Sequence, residues 1–504
     1  MSMAPVFESP YLYFGVKVGK SIISGVVMDS RNETSKISNI QVIQSFFSMT
    51  SSQIVGRVIF VVFALFLMNV LGKYSYGLYQ YIYGYTLYFL VLSGWGLDTF
   101  ALKRIAEDPR TKGSIISQIS YLKMILFLLG ALVNVVLFWL DRSIVPEENT
   151  AIFAILYAAI LFDLVGLTFQ SAFIALKRPF YFFVMNISKF LFYAVLGVLF
   201  VYFNLGLIGI ALGFFLACTI RASIGVALYL SRVDGDFVRP DIRQIKSIFI
   251  DSMPYALFVL IASVYVHIDA ILIGIFIDKG ATGVYDASYK VIEGTLFISA
   301  AFASSLMPYF VAGDRNEERL DTIFTVISLV SFFVAFSVQI GSPYLHYIFS
   351  NEFVESDRIA YYLAVYIPFA FVNHSLVYYL LAKGDNWKMI RVLSAGCFYN
   401  VAANLYFIPR YGIDAAIVNT FLTEMTICFL LIGSLKQVGK KGLYTIWMTI
   451  LAVAGMMTIQ FEYFTGRSFL LRIFASSLLI VAIHGRNSAR FFTWYRLRRT
   501  RKPA

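Results

Sequence analysis

The sequence predicts an all-α integral membrane protein of about 14 transmembrane helices, and three observations carry that expectation. Apolar residues fill 59% of its 504 positions while charged residues fill only 14%, the composition of the membrane class. Apolar runs of roughly 20 residues, the length a helix needs to cross a bilayer, recur along the chain. The lysines and arginines, finally, gather in alternate loops.

The spans follow from what separates them. Spans 42–71 and 76–102 are parted by the short GKYS segment, and 115–140 begins beyond the charged stretch KRIAEDPRTK. Spans 150–176 and 180–203 flank Lys177, Arg178 and Pro179, and 206–230 opens after NLG. The polar linker SRVDGDFVRPDIRQIK precedes 248–277, and IDKGATG precedes 284–312. Charged or polar connections then delimit 322–350, 359–382, 388–409, 412–436, 443–461 and 468–484.

Basic residues in cytoplasmic loops set topology. The two tails and the loops after even-numbered spans hold about 29 lysines and arginines, the opposite loops 7, and five more lie inside spans. Both termini are therefore expected in the cytoplasm. The net charge of +12 has the same origin, in short loops and a basic tail at 486–504 that meet anionic headgroups, which argues against nucleic acid as a partner. Residues 1–40 read as a cytoplasmic tail or interfacial helix, because Lys17 and Lys20 interrupt the apolar run that would make a signal peptide. Cys218, Cys397 and Cys428 fall within spans and have neither disulfide nor metal-ligand spacing. The four histidines are scattered, and no P-loop or HExxH motif occurs, so no metal, cofactor or catalytic residue is expected.

The chain also repeats itself. A shift of 206 positions lays Gly77, Tyr79 and Tyr83 on Gly283, Tyr285 and Tyr289, and Gly206, Phe215 and Leu216 on Gly412, Phe421 and Leu422. The shift spans six helices, an even number, so the two halves enter the membrane in the same direction, a pattern typical of secondary transporters. The expected organisation is an N-lobe at 41–231, a cytoplasmic linker at 232–246, a C-lobe at 247–437, and two further helices within 438–485.

VLGKYSYGLYQYIYGYTLYFLVLSGWGLDTFALKRIAE (70–107), HIDAILIGIFIDKGATGVYDASYKVIEG (267–294), SSLMPYF (304–310) and LLAKGDNWKMIRVLSAGCFYNVAANLYFIPRYGIDAAIVNTFLTE (380–424) resemble, in that order and spacing, the polysaccharide-transporter family. These O-antigen-type flippases belong to the multidrug/oligosaccharidyl-lipid/polysaccharide (MOP) exporter superfamily. The resemblance runs from about 40 to 437. It implies a V-shaped, two-lobed transporter of lipid-linked oligosaccharides in the cytoplasmic membrane, working beside polysaccharide polymerase machinery.

Charges at lipid depth cost a few kcal/mol and so mark candidate sites. Asp286, Lys290 and Glu293 share one helical face at spacings i, i+4 and i+7. They form either a self-neutralising structural cluster or a cavity patch, with Lys290 binding an anionic headgroup and Asp286 or Glu293 taking up protons. Arg57, mid-span, suits phosphate because guanidinium bonds bidentately and stays charged. Arg57 and Lys290, one from each lobe, make the expected pyrophosphate clamp. Lys123, Lys189 and Arg221 lie nearer the cytoplasmic ends of their spans and are expected to snorkel to the headgroups; if one faces the cavity, it is Lys189. Asp269, Asn400, Asn404 and Thr420 offer oxygen ligands for a monovalent cation such as Na⁺, although interhelical amide hydrogen bonds are the commoner use of such residues. Asp163 and Glu424 remain as proton carriers with no partner named, and Asp98 is expected to cap or pair locally.

The leading expectation is a flippase for polyprenyl-pyrophosphate oligosaccharide, driven by a proton or sodium gradient through alternating access. Cation-coupled multidrug export within the same superfamily is the alternative, though a cationic cleft suits anionic cargo better. A membrane glycosyltransferase or polymerase ranks lower, because no loop is long enough to house a soluble catalytic domain.

Overall fold

The structure, a computed structural model, describes residues 33–140, 149–233, 235–311, 317–383 and 385–434. The expected spans thirteen and fourteen, the basic tail and most of the N-terminal segment lie outside the described residues. Within them, ten helical segments are long and apolar enough to cross a membrane. The first, Gln53–Glu107, contains two of the expected spans.

That first segment shows how the sequence shapes the chain. Helix α1 (Glu33–Gly94) is broken at Gly72, whose φ of 71° and ψ of 170° no ordinary residue adopts without strain. The break removes a helical partner from the next amide. Glu352 supplies the replacement, accepting from the Lys73 backbone N–H at 2.9 Å, and Asn69 donates to the Ile348 carbonyl at 2.9 Å beside it. The second expected span is also shorter than its apolar run. Trp95 and Gly96 both take positive φ, at 46° and 63°, and turn the chain into a separate helix α2 (Leu97–Glu107).

The helices that follow are α3 (Lys112–Leu140), α4 (Thr150–Ala175), α5 (Pro179–Tyr202), α6 (Gly206–Arg232), α7 (Ile242–Phe276) and α8 (Lys279–Val311). Then come α9 (Glu317–Gly341), the short α10 (Leu345–Phe349), α11 (Val354–Leu363), α12 (Ile367–Lys383), α13 (Asn386–Tyr411) and α14 (Ile413–Ser434). The tenth expected span is thus divided between α11, a single 3₁₀ turn at Ala364–Tyr366, and α12, whose second residue is Pro368. Proline fits a first helical turn because the amide it lacks has no helical partner there.

By compactness the described chain forms two units. The first comprises the chain up to Lys290 with Leu345–Ser356 and Cys397–Ala416; the second comprises Val291–Tyr344, Asp357–Gly396 and the chain from Ile417. The lobes at 41–231 and 247–437 are a division by internal repeat and remain a proposal.

Small residues let the helices of the first unit approach closely. Gly209 and Gly213 stand four apart on α6, and a Cβ on Gly213 would lie 3.1 Å from the Gly197 amide of α5, the GxxxG mode of membrane-helix contact. Gly77 of α1 meets Gly283 of α8, backbone against backbone. These two glycines are partners under the 206-residue shift. Aromatic rings fill the spaces between: Phe63 stands edge-on to Tyr193 at 4.8 Å, and Tyr193 edge-on to Phe214 at 5.3 Å. In the second unit α12 is almost wholly buried and packs against α9. It carries polar contacts of its own: Asn373 donates to the Glu424 carboxylate at 2.7 Å, and His374 Nδ1 lies 2.9 Å from Ser299 Oγ.

Candidate functional site: buried charge in the first unit

Lys290 on α8 lies 3.3 Å from Asp286, as the i, i+4 spacing predicts, and its ammonium sits 5.7 Å from the Phe60 ring of α1. Asp286 has a second partner that the spacing did not reveal, the Tyr76 hydroxyl at 2.7 Å. Tyr76 in turn accepts from Gln80 at 2.8 Å. Arg57 stands half-buried on α1, three residues before Phe60. At its neighbour Gly56, Phe190 of α5 occupies the space a Cβ would need; a Cβ there would lie 2.5 Å from Phe190 Cδ2. Phe60 and Phe190 meet edge-on at 6.2 Å. Phe60 also lines a small cavity together with Phe63, Tyr79, Gln80, Tyr83 and Tyr193.

Lys189, adjacent to Phe190, lies 5.1 Å from the Phe214 ring. It does not snorkel: its ammonium pairs with Asp163 of α4 at 2.8 Å. Arg221 of α6 pairs with the same oxygen at 2.7 Å. Lys123 of α3, with 3% of its side chain exposed, pairs with Asp98 at 2.6 Å and donates to Thr168 at 2.8 Å and to the Leu164 carbonyl at 3.2 Å. These bonds use all three ammonium protons. The expectation that Lys123, Lys189 and Arg221 reach for headgroups is therefore overturned, because carboxylates on neighbouring helices meet them inside the bundle. Asp98 pairs as expected, and Asp163 gains the partners it lacked on paper. Cys218 also donates its thiol to Asp163, at 3.2 Å.

Of the expected cation-coupling residues, Asp269 accepts from Asn404 at 2.5 Å and from Tyr285 at 3.2 Å. Asn400 is buried one helical turn from Asn404. Glu293 and Thr420 are buried as well, in the second unit. Among the described residues no group of three or more histidine, cysteine or acidic side chains could hold a metal ion.

Spacing within one helix revealed Asp286–Lys290 but could not reveal Asp163–Lys189–Arg221, which joins three helices. The signal that was present is charge: each of these cations sits in an apolar span and needs a partner.

Comparison with known proteins places this geometry. No curated protein matches the chain in sequence. Among solved structures, the lipid II flippase MurJ in an inward closed conformation superposes with a TM-score of 0.66 at 14% identity, over 88% of this chain and 99% of that one. An inward-facing MATE-family multidrug resistance transporter of the MOP superfamily gives 0.60 at 14% identity, over 82% and 99%. A MOP superfamily transporter from Pyrococcus furiosus gives 0.55 at 14%, over 81% and 96%. These likenesses establish the fold. The profile of the family described as polysaccharide biosynthesis protein matches residues 42–314, more than half of the chain. With the multi-pass helical architecture and the fold already in place, the match makes this chain a member of the polysaccharide biosynthesis protein family.

Proposed function

We propose that this protein is a flippase that carries polyprenyl-pyrophosphate-linked oligosaccharide from the cytoplasmic to the outer face of the cell membrane. The observation that carries the reading is the placement of Lys290 over Phe60, on the same stretch of α1 as Arg57. A pyrophosphate needs cations at lipid depth. Arginine and lysine beside aromatic faces supply them where little water competes. The polyprenyl chain would remain in lipid.

Reorientation is coupled to an ion gradient. Asp269, Asn400 and Asn404, all in the first unit, are the proposed monovalent-cation ligands, and Asp286 and Glu293 the proposed proton carriers. The Asn404–Asp269 bond supports the first set, because it already gathers a carboxylate and an amide from two helices. Both termini are proposed to be cytoplasmic, in keeping with the charge asymmetry of the loops.

The test is headgroup translocation of a fluorescent polyprenyl-pyrophosphate oligosaccharide in proteoliposomes, with an imposed proton or sodium gradient. Wild-type protein should move the lipid, and folded Arg57→Ala and Lys290→Ala variants should not. Movement that survives both substitutions would remove the clamp. Lipid that stays put while an amphipathic organic cation is exported would replace the flippase reading with drug transport.

A further inference from the structure

In the first unit one carboxylate serves two cations, and only one of those cations is near an edge. Asp163 Oδ1 lies 2.8 Å from Lys189 Nζ and 2.7 Å from Arg221 Nη2. The side chain of Lys189 is 16% exposed, against 5% for Asp163 and 3% for Arg221. Arg221 is fixed in place. It donates to the Asp163 carbonyl at 2.6 Å and towards Gln170 Oε1 at 3.4 Å, and its guanidinium rests on Gly166, where a Cβ would come within 3.0 Å of Cζ. Lys189 has no comparable anchor. Beyond Asp163 its ammonium meets the face of Phe214.

This asymmetry has a physical consequence. A buried carboxylate stripped of its only cation costs several kcal/mol, so a lysine that is the sole counter-ion cannot leave. Here Lys189 can, because Arg221 and the Cys218 thiol keep Asp163 satisfied. Two cations on one anion also leave the group with a formal charge of +1, which favours an arriving anion. Lys290 shows the same construction: its carboxylate, Asp286, is held independently by Tyr76 at 2.7 Å, while the lysine itself stands farther off at 3.3 Å.

We propose that Lys189 is a releasable cation for the diphosphate of the lipid-linked substrate, and that Arg221 is the positioning residue that retains Asp163 when Lys189 turns to its ligand. The inference rests on the flippase reading and adds to Arg57 and Lys290 a third cation, with its retained counter-ion, for the headgroup.

The experiment measures binding of farnesyl pyrophosphate and, separately, of inorganic pyrophosphate to the full-length protein in nanodiscs. Lys189→Met should weaken farnesyl pyrophosphate binding about ten-fold or more, as loss of a charged hydrogen bond does. Arg221→Gln should weaken it similarly, because Lys189 then becomes the sole partner of Asp163. Adding Asp163→Asn to Arg221→Gln removes that tie and should restore binding to within about two-fold of wild type. A merely structural Arg221 would leave the double variant no better than the single. Arg221→Lys, which keeps a cation beside Asp163, should retain binding and serves if Arg221→Gln fails to fold.

Unchanged affinity in folded Lys189→Met overturns the inference and leaves the flippase reading standing. So does a double variant that folds but does not recover. Inorganic pyrophosphate bound as tightly as farnesyl pyrophosphate would assign the subsite to a free anion and overturn the lipid assignment. Wild-type protein that binds neither probe would bring down the flippase reading and the inference with it.

Discussion

Replacing Gly77 by alanine should separate α1 from α8 and destabilise the protein. A Cβ built on Gly77 lies 2.6 Å from the Gly283 amide nitrogen and 2.9 Å from its Cα, whereas ordinary contacts begin near 3.4 Å. The helices must therefore part by at least 0.8 Å to clear that nitrogen, and further to clear the Lys279 carbonyl. Backbone atoms cannot rotate aside as a side chain can, so the cost falls in the overpacking range of about 1–3 kcal/mol. The parting also stretches the Tyr76–Asp286 hydrogen bond, which joins the same two helices. Gly84 on the same helix is the control. Its Cβ would meet Ile271 at 3.8 Å, so Gly84→Ala should be neutral or stabilise by up to about 1 kcal/mol through the lower entropy of the unfolded chain. Thermal unfolding of both variants in nanodiscs reads the difference. Because Gly283→Ala opens the same crossing, the two glycine substitutions together should cost less than their sum. Gly77→Ala as stable as Gly84→Ala would refute the close crossing.

Three further outcomes are expected. Lys123→Met strands Asp98 and should cost about 3 kcal/mol in chemical unfolding, while Lys123→Met with Asp98→Leu should recover most of that loss, as apolar replacement of buried pairs generally does; a double variant as unstable as the single would argue against the pair. Burial lowers the ammonium of Lys279, the first residue of α8, to about 8, with Asp278 acting in the opposite sense. The unfolded chain then holds more protons than the folded one between about 8 and the ordinary lysine range, so stability should rise with pH across that window. Lys279→Met should abolish the rise, which a pH series of melting temperatures would detect. Asp269→Asn should remove any sodium or proton dependence of transport while leaving headgroup binding in place, and gradient-driven flipping that survives it would exclude Asp269 as the coupling residue.

The parts of this protein legible in sequence are those that depend on one helix or on the bilayer. Composition and run length anticipated the ten segments between Gln53 and Gly433 that are long and apolar enough to cross a membrane, since an apolar helix of that length has few alternatives. The i, i+4 rule found Asp286–Lys290. Internal shift paired Gly77 with Gly283, although nothing in the alignment told that the two glycines touch. Turns hid where apolar composition continued through them, as at Trp95 and Gly96. The buried charges were harder. Lys123, Lys189 and Arg221 stand close enough to span ends along the chain for snorkelling, but distance along a helix says nothing about which way it faces. Rotation of α4, α5 and α6 about their axes decided the matter by bringing Asp163 to both Lys189 and Arg221.

A count of charge by depth would have come closer than spacing did. The first six expected spans hold four cations, Arg57, Lys123, Lys189 and Arg221, but only two carboxylates, Asp98 and Asp163. Asp98 is taken by Lys123, whose ammonium has no proton left to donate. Asp163 is shared by Lys189 and Arg221, so neither is fully neutralised. Two cations on one carboxylate leave a formal charge of +1 at lipid depth, which is costly for a bundle that stays empty and favourable for one that receives an anion. The outermost member of that group is Lys189, and under the proposed function it is where the diphosphate of a lipid-linked sugar would meet the charge.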